Sequence, residues 1–462
     1  MKKERPSLTE SPIIPTLAKL TWPMIFGMLG SVLYNLADTY FLGQVGVAEL
    51  AAIGFTFPAI MFVSSVAAGV GIGTASLFSR VLGSRDRSIV QQYSVSVFVL
   101  ALLIIILFIG IGLLTIDPLF RFLGAGPELV PLISQYMVIW YWAVFWVIIP
   151  MVGNNMIRAT GNTFEPGMIM VFGNVVNILL DPILIFGWGP VPAMGIQGAA
   201  LATAVSMALT CVLSLYVLIK KEKLLVLVLP AFREMVVVWK QVLGVGLPAA
   251  MTILITPISI GLITRILAGF GHEAVAAFGV VSRLEMFAFT LIYALGSVLT
   301  VFAGQNWGAG KPERLQKGIL VGFLFSLVMG MGFCIISQLF STEIVSLFTE
   351  SKSITEIASA YLVIVSFSYG FLGILMLGTS VLNGINRPMI SFSISMFRML
   401  ILYVPLAWVL SVSYGLTGIF WSAFIANMLG GIITWFWLKK LISEKIRQLS
   451  VVTTSSASRT LS

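Results

Sequence analysis

The chain has 462 residues, of which 58% are hydrophobic and only 10% charged, and its mean hydropathy is +1.04. A water-soluble domain carries about a quarter charged residues, so this composition excludes a soluble globular protein. The net charge of +9 does not point to nucleic acid, because in so apolar a chain basic residues mark the cytoplasmic face of a membrane. Cys211 and Cys334 lie inside apolar runs and His272 stands alone, which excludes a disulfide framework and a histidine-rich metal site. The segment MKKERPSLTESPIIP has a basic start but no small-residue cleavage signature, and reads as a cytoplasmic tail leading into a retained first helix.

A bilayer crossing needs roughly 20 apolar residues, and twelve stretches qualify in chain order. They lie near 14–42, 50–80, 92–115, 129–157, 166–187, 194–219, 242–268, 274–305, 317–340, 354–383, 389–411 and 416–438. The longest polar interruption, Lys220–Lys240, still contains LLVLVLP and reads as an interfacial connector. Basic residues fall on alternate connections: Lys2, Lys3, Arg5 and Lys19; Arg80, Arg85 and Arg87; Arg158; Lys220 to Lys240; Lys311, Arg314 and Lys317; Arg387; and Lys439 onward. Acids such as Glu49, Asp117, Glu128, Glu273 and Glu343 collect on the opposite connections. The positive-inside bias places both termini in the cytoplasm, which requires an even number of spans. A multi-pass protein of the plasma (inner) membrane is expected.

Sliding the chain on itself by 225 positions brings GVAELAAIGFTFPAIMF (46–62) over GHEAVAAFGVVSRLEMF (271–287). The register persists at Gly71/Gly296 and Gly83/Gly308, and DPILIFGWGPVPAMGIQGAALAT (181–203) resembles VPLAWVLSVSYGLTGIFWSAFIA (404–426) after small indels. The expected fold is therefore an all-α integral membrane protein with twelve transmembrane helices in two pseudo-symmetric six-helix bundles. An N-terminal lobe covers 1–220, a cytoplasmic connector 221–241, a C-terminal lobe 242–440 and a cytoplasmic tail 441–462. Each half has six helices in the same orientation, a parallel repeat, and transporters so built place their path between the halves.

Charged groups at membrane depth are costly and mark function. Asp38, late in the first helix (LYNLADTYFLG), is either an interfacial carboxylate or a coupling group. Asp181 lies deep in the fifth helix with Asn177 four residues earlier on the same face. Pro182 frees a nearby carbonyl. A carboxylate, an amide oxygen and a freed carbonyl suit a proton or a hard cation such as Na⁺, and Asp38, Asn177 and Asp181 would be the metal ligands in the sodium case. Binding either ion removes the repulsion and desolvation of two nearby carboxylates. Pro23, about four turns before Asp38, supplies a hinge through which that charge change could bend the first helix. Under the repeat, Asp38 falls on Ile263 and Asp181 on Val404, so the second half lacks both acids. Its own acid, Glu285, sits two residues from Arg283, and the two are a candidate second-lobe site; Arg398 in the eleventh helix reads as an ion-pair or snorkelling residue.

At these residues the chain resembles the multidrug and toxic compound extrusion (MATE) family. The resemblance spans about 12–440 and rests on the paired halves, the Pro23 segment leading to NLADTYFLG, the IRATGN loop and NILLDP. It is most similar to the DinF-like branch, whose pattern lands on Asp38, Asn177 and Asp181. That resemblance implies that Tyr136, Asn154 and Thr203 complete the ion-coupling cluster, and that two bundles form a V-shaped cavity. It also implies export of amphipathic, cationic compounds in exchange for H⁺ or Na⁺, by a monomer with no other cofactor.

The nearest alternative is a lipid-linked oligosaccharide flippase of the related superfamily; acidic intramembrane charges in the first half disfavour its anionic headgroup. An integral membrane enzyme would need an interfacial catalytic cluster that the sequence lacks. GAGKPER (308–314) lacks the Walker spacing and reads as a cytoplasmic turn.

Overall fold

The protein is described here by a computed structural model covering residues 7–84, 87–226 and 230–459, with the side chains of Val47, Arg87, Ser88 and 451–459 left aside. Lys2, Lys3, Arg5 and Arg85, and part of the connector's apolar run, lie outside these residues. The helices are α1 (Ile13–Val45), α2 (Val47–Gly83), α3 (Arg87–Phe122), α4 (Val130–Ala159), α5 (Phe164–Phe186) and α6 (Gly195–Tyr216). After the connector come α7 (Phe232–Ala268), α8 (His272–Gly308), α9 (Pro312–Ser346), α10 (Lys352–Val365), α11 (Tyr369–Gly384), α12 (Pro388–Met396) and α13 (Val404–Arg459). Among the described residues the only β-pairing is an isolated bridge between Trp188 and Val191.

Eleven helical runs are long and apolar enough to cross a membrane, and the last, Pro388–Ser450, has 63 residues. At 1.5 Å per residue such a run is about 95 Å long, three times a hydrocarbon core. It is two spans, because the chain reverses at Gly415 (φ 58°, ψ −141°). Beyond the reversal a Cβ on Gly418 would meet the Leu410 carbonyl at 2.3 Å, and Arg398 hydrogen-bonds Asn427, so the two arms fold back on each other. Twelve crossings result.

The same device closes the first half. Gly195 has φ 52°, and a Cβ on Gly198, three residues on, would meet the Leu184 carbonyl at 2.3 Å. Gly-x-x-Gly thus forms both reversals, with a left-handed first glycine and a second that lets helices touch through their backbones. The Gly415 conformation belongs to the region only glycine enters without strain, at about 1–3 kcal/mol for other residues. Gly415→Val is therefore expected to lower the melting temperature of the detergent-solubilised protein by several degrees, measured by scanning fluorimetry.

The chain forms two compact units. Of the described residues, one takes Lys19–Leu82 and the chain from 87 to Ala250; the other takes 7–18, 83–84 and Met251 onward. In the first unit the connector is anchored rather than loose. Glu222 is 1% exposed and accepts from Asn162 Nδ2 at 2.8 Å and Thr160 Oγ1 at 3.3 Å. Gln91 Nε2 donates to the Lys223 carbonyl at 2.8 Å. The IRATGN loop thus grips the connector, a role its sequence alone did not suggest.

In the second unit the GAGKPER turn holds the segment before α1. The Leu8 carbonyl accepts from Asn306 Nδ2 at 3.1 Å and Arg314 Nε at 3.2 Å. Lys311 Nζ donates to the Thr9 carbonyl at 3.1 Å, Arg314 also reaches the Ser11 carbonyl, and Leu8 is buried. These cations are occupied by backbone carbonyls, in keeping with a turn and not a phosphate loop. Because 7–18 belong to the second unit and Lys19–Leu82 to the first, α1 belongs to both, as does α7, which divides between Ala250 and Met251.

Candidate functional site

The first unit's polar site is built on two helices whose residues pair at a nearly constant sequence offset. A Cβ on Gly167 of α5 would meet the Pro23 carbonyl of α1 at 2.5 Å, and one on Gly27 would meet Met170 Cβ at 3.1 Å. One turn further, Asn174 Nδ2 donates to the Gly27 carbonyl at 3.2 Å and to Ser31 Oγ at 3.1 Å. The offsets lie between 143 and 147 residues, a spread of one helical turn, so α1 and α5 run parallel and in register. Glycine at 27 and 167 permits the approach; Pro23, which cannot donate to the Lys19 carbonyl, lies at its tightest point.

This register aligns two polar stripes. α1 carries Ser31, Tyr34 and Asp38, while α5 carries Asn174, Asn177 and Asp181, each set at positions 0, 3 and 7 and hence on one helical face. Asp38 is half-buried and close enough to Asp181 for their charges to interact. Asp181 is fully buried. The Asn177 amide, oriented so that each end meets a complementary group, donates to Asp181 Oδ2 at 3.1 Å and accepts from the Thr203 N–H at 3.2 Å. Tyr34 hydrogen-bonds Thr203 and senses both carboxylates, as does the buried Tyr136.

Five of the six residues expected at an ion site are therefore together: Asp38, Tyr136, Asn177, Asp181 and Thr203. Asn154 differs. Its side-chain oxygen accepts from Ser214 Oγ at 3.1 Å, which ties α4 to α6 rather than to a carboxylate. Tyr34, Ser31 and Asn174 escaped the sequence reading, although their spacing to the two acids was the available signal.

Asp181 Oδ1 is buried without a hydrogen-bond partner, and neither carboxylate forms an ion pair among the described residues. An unpartnered buried carboxylate oxygen beside a second carboxylate is chemically suited to a proton or a small hard cation. Among the described residues no three of His, Cys, Asp and Glu gather as a metal cluster. A Na⁺ ion would thus depend on amide, hydroxyl and carbonyl oxygens beside the two acids.

In the second unit Ile263 of α7 is buried and Val404 half-buried, apolar residues where the repeat would place the two acids. Glu285 is built differently from the expectation. Arg283 is exposed and is no partner of it. Instead Glu285 Oε1 accepts from Tyr369 at 2.9 Å and Tyr361 at 3.3 Å. Arg398 lies within electrostatic reach and donates through Nε to Asn427 Oδ1 at 3.1 Å; Asn427 donates to Ser368 at 2.9 Å. Residues two apart point to different helix faces, whereas tertiary packing brings α10, α11 and the turn of helix that joins α12 to α13 toward the acid. Glu285 and Tyr369 border a cavity of about 300 Å³ whose other walls, Phe287, Phe333 and Leu362 among them, are mainly apolar.

The sequence model described as MatE matches residues 23–183 and again 248–409. The chain belongs to the MATE family of transporters. The two matches begin 225 residues apart, which is the offset of the internal repeat. Over 445 residues the chain is 36% identical to a "FAD transporter" of Shewanella oneidensis, covering 96% of this chain and 98% of that protein. It is 26% identical to the "Multidrug export protein MepA" of Staphylococcus aureus, covering 91% and 92% of the two chains. Among solved structures it resembles the Vibrio cholerae MATE transporter VcmN in the bent form, with TM-score 0.88 and 29% identity, over 93% of this chain and 97% of that one. As a MATE protein this chain is a multi-pass membrane transporter of small molecules and not an enzyme.

Proposed function

We propose that this MATE transporter is a secondary antiporter, exporting amphipathic small molecules in exchange for H⁺ or Na⁺ taken up at Asp38 and Asp181. The reading rests on the facing stripes of α1 and α5. They hold two interacting carboxylates, one fully buried with an unpartnered oxygen, beside a proline in a helix that belongs to both units. Ion binding changes the charge of the Asp38–Asp181 pair, and so the cost of keeping α1 against α5 at that level. Related solved structures are described in a bent form and in a straight conformation, which supports more than one conformation of this fold. The basic residues on alternate connections support a cytoplasmic side for both termini.

Cargo has two readings. Export of drug-like compounds is supported by the multidrug export protein MepA, and a cationic charge on them by the Glu285-bordered, otherwise apolar cavity of the second unit; export of a flavin dinucleotide is supported by the 36% identical relative. Glu285→Gln separates them: on the first reading it weakens transport of a cationic dye about tenfold and leaves a neutral analogue unchanged, measured as concentration dependence of efflux.

The test is efflux from everted membrane vesicles under an imposed pH or Na⁺ gradient, with ethidium or FAD as cargo, for wild type and Asp38→Asn. Gradient-driven export by wild type that the variant loses is the expected result. Undiminished export by the variant contradicts the coupling site, and movement of a lipid pyrophosphate without small-molecule export points to the flippase.

A further inference from the structure

Between α12 and α13 lies a groove of about 480 Å³ lined by Met389, Ile390, Ser393, Phe397, Ile433 and Trp437. Apart from the Ser393 hydroxyl it is apolar. The two helices run antiparallel, so Met389 and Trp437 mark one end of the groove and Phe397 the other. At the Met389 end the surroundings become cationic. Arg387 directly precedes Pro388 and is exposed, and it forms no ion pair among the described residues. Lys440 is held with Nζ 5.8 Å from the centre of the Trp437 ring, above the groove wall, and exposed Lys439 is its neighbour. Glu444, one turn beyond Lys440 on α13, is the nearest acid in sequence and does not line the groove.

The backbone adds to this charge. Asn386 (φ 63°) turns the chain into α12, Pro388 occupies the first turn, and no side chain caps this helix start. The Met389 N–H has no acceptor among the described residues, so an unpaired donor and the positive end of the α12 dipole coincide with the mouth of the groove.

We infer that this groove seats an anionic phospholipid, its phosphate between Arg387, Lys440 and the start of α12 and one acyl chain along Met389–Phe397. The complementarity is twofold: an apolar slot of chain width in a bilayer-spanning protein, and cations with a free N–H only at its interfacial end. Basic pockets between membrane helices recognise anionic headgroups in this manner, each basic side chain strengthening binding about fivefold. A zwitterionic lipid satisfies the slot but gains less from the mouth. The seat lies on the second unit's final helical hairpin, away from Asp38 and Asp181 in sequence and chemistry, and it does not depend on which ion or cargo the transporter uses.

The test is native mass spectrometry of the purified, delipidated transporter given equimolar phosphatidylglycerol and phosphatidylcholine. Wild type is expected to retain phosphatidylglycerol at least about twenty-five-fold more often, from two contributions of about fivefold each. In Arg387→Gln/Lys440→Gln the preference falls by roughly twenty-five-fold, the product of two such contributions, while Arg121→Gln, at the opposite end of the spans, leaves it unchanged. Ser393→Trp, which fills the slot from an exposed position, is expected to lower retention of both lipids without altering the charge-state distribution or melting temperature. Equal retention by wild type overturns the inference, as does a preference that survives the double substitution. Competition by glycerol phosphate as effective as phosphatidylglycerol also overturns it, because the site would then be an anion site without a lipid slot.

Discussion

Asp181→Asn is expected to reduce gradient-driven export by roughly two orders of magnitude, the upper range of coupling free energies between sites, while the protein stays folded. The substitution preserves shape, and the new amide oxygen can still accept from Asn177, so the α1–α5 register survives. What it removes is the group whose charge an ion alters. Asp181 Oδ1 has no partner to lose, and the melting temperature is therefore expected within a few degrees of wild type. Downhill movement of cargo should persist in this variant while uphill movement does not. A variant that transports uphill at the wild-type rate shows that the carboxylate is structural.

Gly167→Val carries the second large effect, through packing alone. A Cβ at this position meets the Pro23 carbonyl at 2.5 Å, and backbone cannot rotate aside as a side chain can. The helices must separate there, at a cost of about 1–3 kcal/mol for overpacking. Separation at Pro23 also loosens the Asn174 bonds to Gly27 and Ser31 one to two turns on. Transport is expected to fall more than tenfold with a melting temperature several degrees lower. Asn174→Leu, which removes the bonds without crowding Pro23, should reduce transport with a smaller thermal shift. Unimpaired transport by Gly167→Val is incompatible with α1 working against α5.

Much of this architecture was legible in the sequence because a bilayer imposes simple demands. Each apolar stretch had to satisfy its own backbone hydrogen bonds, so length and hydropathy placed every span on a helical run, although α3, α7 and α9 run five to ten residues past the expected ends and α13 further still. Even the final hairpin, helical on both sides of Gly415, was divided correctly because Ser411–Leu416 interrupts the apolar pattern. The stripe of Asn177 and Asp181 followed from helical spacing. Its alignment with Ser31, Tyr34 and Asp38 did not, because the 143-residue offset is set by which glycines let α1 meet α5.

Glu285 shows the same limit from the other side. Local sequence offered only Arg283, on another face, whereas the acid's true partners are 76 and 84 residues away at Tyr361 and Tyr369. Asn154 was assigned by resemblance, and here Ser214 supplies the bond that holds it. Glu222 went unnoticed because a buried acid in a connector has no periodicity to betray it. Long-range pairing, more than secondary structure, is what the chain's linear order conceals.

In the proposed antiport, cargo leaves as H⁺ or Na⁺ enters and is taken up at the Asp38–Asp181 pair. The most direct measurement is ion flux driven by cargo in proteoliposomes containing a lumenal pH or Na⁺ indicator and no imposed ion gradient. An outwardly directed cargo gradient is expected to drive H⁺ or Na⁺ inward with wild type, and to drive neither with Asp38→Asn or Asp181→Asn. Cargo movement by wild type with no accompanying flux of either ion contradicts the account.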